Sequence, residues 1–307
     1  ASGNPIIIKP ATKTPLTALL LAEVVSESGW PDGGLSVFPC ATNLAEQMVA
    51  DERFQMLTFT GSAAVGWHLK RIAGRKRVTL ELGGNAGAII DSDENLEHTI
   101  KRCAVSAFSF SGQICISLQR LFINKKIYNS FMPAFLDAVK ALKMGDPLNE
   151  ETKIGPMIEE QEARRIESWV AEAVKEGAQI LHGGVRKGSF YEPAVIANTT
   201  PRMKINACEI FAPAVTVSRY DAFEEAISHL NNSAYGLQAS VFTNNIKRAF
   251  YAYQNLHVGG VIINDVPSFR TDNMPYGGVK DSGFGREGVR YAMEEMTELK
   301  LLVLNLS

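Results

Sequence analysis

Cysteine and histidine are scarce in this sequence, at four and five among 307 residues, and neither is spaced to hold a metal. Cys40, Cys103, Cys115 and Cys208 form no Cys-x-x-Cys, and His68, His98, His182, His229 and His257 form no ligand pairs. A disulfide framework and a zinc site therefore lack support, and reduced thiols in the cytoplasm are the expectation. Long apolar runs are missing too. None approaches the roughly 20 residues that span a bilayer, and Ala1-Ser2-Gly3-Asn4-Pro5 lacks the charged and then apolar pattern of a secretory signal. Nor does one sign of charge dominate: 31 Lys and Arg meet 33 Asp and Glu, a net charge of −2, which announces no basic face. Neither membrane nor nucleic acid is expected as a partner.

What the chain does have is apolar content. With 46% hydrophobic residues it can bury a large core, and its length suits two domains better than one. Periodicity predicts strands over 5–9, 35–38, 56–60 and 78–82, with helices over 16–28, 44–53 and 63–73 between them. Such alternation reads as βαβ units and a parallel sheet. This first unit holds no Gly-x-Gly-x-x-Gly, and Gly61 to Gly66 is a poor substitute. On pattern alone Phe59-Thr60-Gly61-Ser62 is an ordinary strand-to-helix turn, although such a turn can turn N–H groups toward a phosphate.

A second α/β unit follows. Ser92 or Asp93 can cap a helix over 96–110, then come a strand over 119–124 and helices over 128–142 and 158–176. Short strands are predicted over 178–181, 194–196 and 214–217, a helix over 223–230, and a last strand-helix-strand set over 240–242, 246–255 and 258–263. The end, 297–306, reads as a strand with too much apolar surface for an isolated tail.

The stretch from Glu81 to Cys115 carries the chemistry. It opens with Leu80-Glu81-Leu82-Gly83-Gly84-Asn85 and closes with Ser111-Gly112-Gln113-Ile114-Cys115. A thiolate that attacks an electrophilic carbon and a carboxylate that moves protons for a second half-reaction would suit covalent catalysis. Taken alone, Cys115 reads as packing rather than catalysis, and Glu81 as a solvated strand residue. Glycines beside both residues permit close backbone approach, and an acid ending an apolar strand is where open α/β sheets place ligands.

These two segments resemble the signatures of the aldehyde dehydrogenase superfamily, at that family's spacing. Asn4-Pro5-Ile6-Ile7-Ile8-Lys9-Pro10, Phe59-Thr60-Gly61-Ser62, Glu209-Ile210-Phe211-Ala212-Pro213 and Pro275-Tyr276-Gly277-Gly278-Val279-Lys280-Asp281-Ser282-Gly283 resemble its other blocks in the right order. The resemblance implies an α/β fold: a parallel-sheet, Rossmann-like partial cofactor domain over 1–82, an α/β catalytic domain bearing the cysteine over 83–294, and an oligomerisation strand over 295–307. It implies oxidation of an aldehyde through a Cys115 thioester that Glu81 hydrolyses, with hydride passing to NAD or NADP. Lys9, Thr12, Gly61, Ser62, Gly83, Glu209 and Phe211 would bind the cofactor, while Tyr276 and Arg270 would line the substrate end. Members dedicated to NAD often carry a glutamate where Thr12 stands, so NADP is expected to be accepted. A homodimer or homotetramer is expected.

The family also implies an N-terminal portion, with an asparagine that helps bind the reaction's oxyanion, upstream of the Lys9 block. The sequence therefore looks like a truncated member of reduced activity. Two alternatives stand beside the dehydrogenase: acyl transfer to coenzyme A on the same scaffold, which generally does not rely on the glutamate, and a non-catalytic binding or assembly fragment.

Overall fold

Apolar residues that alternate along the central strands determine the layering. The computed structural model describes residues 2–91 and 95–306. Its first part holds β1 (Ile6–Ile8), α1 (Leu16–Glu27), β2 (Leu35–Val37), α2 (Thr42–Ala50), β3 (Met56–Thr60), α3 (Ala63–Ile72) and β4 (Arg77–Glu81). Its second part begins with β5 (Ala86–Ile90), α4 (Leu96–Phe108), β6 (Leu118–Asn124), α5 (Lys125–Lys140), α6 (Glu160–Lys175) and β7 (Gln179–His182). Then come β8 (Arg186–Lys187), β9 (Phe190–Tyr191), β10 (Ala194–Ala197), α7 (Lys204–Ala207), β11 (Ala214–Tyr220), α8 (Phe223–Asn231), β12 (Tyr235–Gly236), β13 (Gln238–Phe242), α9 (Ile246–Asn255) and β14 (Gly260–Ile263). The chain closes with β15 (Val279–Lys280), β16 (Gly283–Phe284) and α10 (Val289–Glu295).

A seven-stranded sheet in the order β14-β13-β5-β6-β11-β10-β7 dominates. Every neighbour pair in it is parallel except β10–β7. Along β6, Leu121 and Ile123 face a core shared with Phe108 of α4 and Phe131 and Phe135 of α5. Phe122 between them faces the opposite core, with Tyr220, Phe223 and Leu230. Period-two alternation thus buries both faces of the strand under helices, as a parallel sheet requires.

The first part makes smaller sheets: β1 beside β2, and β3 parallel to β4. The third strand beside β4 comes from the far end of the chain, because β16 pairs antiparallel with it, Gly283 opposite Glu81. Arg77 Nη1 reinforces this return by donating to the Glu295 and Thr297 carbonyls at 3.1 and 2.6 Å.

Three expectations change. The fully buried strand β5 was not anticipated: Ala-Gly-Ala-Ile-Ile is short, small and non-alternating. The Ser92 or Asp93 cap lies outside the described residues, while Asn95 Oδ1 accepts from the His98 N–H at 3.5 Å and is the N-cap of α4. Residues 297–306 form no strand within this chain; Leu299, Leu301, Leu302, Val303, Leu304 and Leu306 stand exposed. Among the described residues the segment pairs with no strand of this chain.

Candidate active site

Glu81 is the last residue of β4, with neighbours on both sides that hold its backbone. Parallel pairing puts Thr60 opposite it, and the Gly61 N–H donates to its carbonyl at 3.0 Å. On the other side lies Gly283, and the Leu82 N–H donates to the Ser282 carbonyl at 3.0 Å. The side chain points into protein: it is 4% exposed, and among the described residues neither carboxylate oxygen has a hydrogen-bond partner. Burial raises this carboxyl to about 8, with the charge of Glu287 adding to the rise and those of Arg270 and Arg286 opposing it. A carboxyl that is neutral at rest and ionises close to working pH is suited to general-base work.

Cys115 arrives on a turn between α4 and β6. Phe110, Ser111 and Gly112 occupy the left-handed region in succession, at φ 53, 56 and 67°. Two of the three are not glycine, a conformation that costs about 1–3 kcal/mol per residue and persists only when its surroundings enforce it. The Ser111 hydroxyl donates to the Gly155 carbonyl at 2.8 Å, and Gln113 Oε1 accepts from the Ile158 N–H at 2.9 Å. Gly112 is obligatory: a Cβ there would sit 2.1 Å from the Ala212 carbonyl oxygen. The turn ends where the Ser117 hydroxyl reaches the Ser106 and Ala107 carbonyls, both at 3.3 Å.

Glycines then bring the two ends together. A Cβ on Gly84 would lie 2.0 Å from the Cys115 carbonyl oxygen, and one on Gly83 2.4 Å from Glu209 Oε2. The Gly84 N–H donates to Glu209 Oε1 at 2.8 Å. Tyr276 and Gly277 bridge Cys115 and Glu81: the Tyr276 hydroxyl is 3.2 Å from Cys115 Sγ, and a Cβ on Gly277 would lie 2.9 Å from Glu81 Oε1. The thiol of half-buried Cys115 is pushed up by burial, with Glu209 and Glu81 adding to the rise and Tyr276 opposing it. Glu209 is also raised by burial, against the Gly84 N–H bond and Arg165.

Gly61 touches the Glu81 backbone, and Ser62 is the N-cap of α3. Its hydroxyl makes no capping bond, which leaves first-turn N–H groups open to a phosphate. Phe211 keeps a left-handed backbone, φ 46°, and is 37% exposed. Lys9 and exposed Thr12 follow β1, outside the Glu81–Cys115 cluster, and are joined to each other by a 3.4 Å bond. Lys13, next to Thr12, is ion-paired with Glu159. Arg270 stacks on the Tyr276 ring, 4.0 Å from its centroid, and pairs with Glu287 at 3.2 Å. An open helix N-terminus, an exposed aromatic and a carboxylate on the Gly83-Gly84 turn fit a dinucleotide.

Arg120 escaped the sequence reading. It is 5% exposed and spends its donors on carbonyls: Asn85 at 3.2 and 2.9 Å, His229 at 3.2 Å and Leu230 at 3.0 Å. It thereby clamps the residue after Gly84 to the carbonyl end of α8, where a cation is favoured, although burial pulls its guanidinium down to about 10. Glycine-rich 283–288 was likewise unread. It has the spacing of a dinucleotide loop, yet Gly283 lies in a strand pair and Arg286 Nη1 turns back to the Gly278 and Gly285 carbonyls at 3.1 and 2.7 Å. Its contribution is to put Arg286 and Glu287 beside Glu81.

The aldehyde dehydrogenase family model matches residues 1–302. The chain is 45% identical over its whole length to 3-sulfolactaldehyde dehydrogenase of Priestia aryabhattai and spans about 64% of that protein. Among solved structures it is similar to aldehyde dehydrogenase 21 from Physcomitrella patens in complex with the reaction product succinate, at 47% identity and TM-score 0.96, covering 98% of this chain and 63% of that one. It is also similar to glyceraldehyde-3-phosphate dehydrogenase of Methanocaldococcus jannaschii complexed with NADP, at 36% identity and TM-score 0.93, covering 97% and 66%.

Proposed function

The chain belongs to the aldehyde dehydrogenase family, and from that premise we propose that it carries the nucleophile and base of an enzyme that oxidises an aldehyde to a carboxylic acid. The observation that carries this reading is the buried, unpartnered Glu81 carboxyl in the cluster that holds the Cys115 thiol. Cys115 Sγ adds to the aldehyde carbon, and its backbone N–H is one donor to the oxygen that becomes negative. NAD or NADP, when bound, supplies the hydride acceptor. Gly61, Ser62 and Gly83 would hold its phosphates and nicotinamide end, Lys9 and Thr12 the adenosine ribose, Glu209 the nicotinamide ribose, and Phe211 the ring. With the acyl group on Cys115, Glu81 takes a proton from water, the resulting hydroxide attacks the thioester carbon, and the thiolate leaves. A transfer to coenzyme A generally does not rely on such a base.

Tyr276 and Arg270 line the substrate end in this reading. The names of the three relatives carry a sulfonate, a dicarboxylate and a phosphate ester. Arg270 has guanidinium donors beyond its bond to Glu287, which supports an aldehyde with an anionic far end. Thr12, which places no negative charge beside the ribose, supports acceptance of NADP. The apolar residues within 299–306 are covered by another copy in a homodimer or homotetramer, and four free thiols suit a reducing cytoplasm.

The test is product analysis. Succinic semialdehyde, or another short aldehyde bearing an anion, should yield the acid and reduced cofactor without coenzyme A. Turnover by Cys115→Ser, or an absolute need for coenzyme A, refutes the reading. A kcat/KM at least tenfold better with NAD than NADP refutes the cofactor part alone.

A further inference from the structure

Buried phenols find a hydrogen-bond partner. Tyr276 is 4% exposed, and among the described residues the partner of its hydroxyl is Cys115 Sγ, at 3.2 Å. The position of that hydroxyl is fixed from several directions. Its backbone is locked by a two-way bridge, the Tyr276 N–H to the Glu287 carbonyl at 3.0 Å and the Glu287 N–H to the Tyr276 carbonyl at 2.6 Å. Its ring packs with Ile116 and Leu237. The outer face carries Arg270, 4.0 Å from the ring centroid, itself tied to Glu287.

We propose that the Tyr276 hydroxyl is a catalytic donor to the nucleophile, holding Cys115 Sγ in place and stabilising it as thiolate before it attacks. This deepens the proposed function and rests on Cys115 as its nucleophile. A neutral thiol is a weak acceptor, whereas a thiolate accepts a charge-assisted bond, so the O–H···S contact strengthens on ionisation. The thiol proton leaves to water. No imidazole or ammonium touches the sulfur among the described residues, and the nearby carboxylates Glu209 and Glu81 act against the negative sulfur. The phenol, held neutral by burial and by the sulfur and Glu81 charges, remains a donor when the thiol ionises. It replaces the cationic partner that usually activates a cysteine.

The experiment is alkylation of Cys115 by iodoacetamide from pH 7 to about 11.5, a window that reaches above a thiol raised by burial, followed by peptide mass spectrometry, in the 307-residue chain and its Tyr276→Phe variant. That change removes one oxygen and keeps the ring under Arg270. The proposal expects the midpoint of the rate profile to rise by about one pH unit, so that about tenfold less thiolate is present at neutral pH, while the high-pH plateau is unchanged or higher, since a thiolate released from its donor is more nucleophilic. An unmoved midpoint overturns the proposal, and so does an equal fall in rate at every pH, which is the signature of lost positioning without thiolate stabilisation. Should the variant fold poorly, as seen by thermal melting, replacement of tyrosine by 3-fluorotyrosine supplies the opposite perturbation. A more acidic phenol must lower the midpoint, and failure to do so overturns the proposal. Aldehyde turnover separates this inference from the reading beneath it: a shifted midpoint without turnover overturns the dehydrogenase reading, and turnover with an unshifted midpoint overturns the donor role.

Discussion

Replacing Glu81 by glutamine separates what the carboxyl does for catalysis from what it costs the fold. The folded protein holds this carboxyl at about 8 against an ordinary 4.5, a preference for the neutral form worth about 5 kcal/mol at about 1.36 kcal/mol per pH unit. Water entering an interior site relaxes part of that penalty, leaving about 2–5 kcal/mol. Because the folded value lies above the unfolded one, the advantage of the buried neutral acid is complete below pH 4.5 and declines as pH rises, until it is gone above about pH 8. Glutamine is neutral throughout. Urea midpoints of Glu81→Gln should therefore match those of the parent near pH 5 and exceed them at pH 9. The same variant should still be alkylated at Cys115 and still acylate, but should release acid about 10²–10⁴-fold more slowly. Parallel pH–stability curves for parent and variant would refute the assignment of Glu81 as a strained, buried base, and undiminished acid release would refute its role in the second half-reaction.

Two further substitutions test how the site is held. Gly84→Ala should cost about 10²-fold or more in turnover, because its Cβ meets the backbone of Cys115 at 2.0 Å and a misplacement of about 1 Å is enough for such a loss; kinetics together with Cys115 alkylation rates check it. Arg120→Met should lower stability by about 2–4 kcal/mol in urea unfolding, since it strands the buried Asn85, His229 and Leu230 carbonyls.

How much of this was legible in the sequence depends on what each residue's partner is. Strands β3, β4 and β6 announce themselves because their apolar residues alternate or cluster between turn signals, whereas β5, made of Ala86-Gly87-Ala88-Ile89-Ile90, hides because small residues carry little periodic signal. Glu81 and Cys115 could be paired from their glycine neighbours, and the spatial reason is now plain: Gly84 admits the Cys115 backbone as no other residue could. Arg120 could not be found that way. Its partners are main-chain carbonyls of residues 85, 229 and 230, which every sequence possesses at every position, so its role exists only once β6 lies under the end of α8. Tyr276 is the intermediate case. Its sequence block suggested a pocket-lining ring, but the oxygen that distinguishes tyrosine from phenylalanine acquires meaning only from the sulfur 3.2 Å away. A site whose supports are backbone atoms and a single hydroxyl is therefore readable from sequence in the groups proposed to react and unreadable in the groups that set their acidity, and those are the residues whose substitution should change the pH dependence while leaving the fold intact.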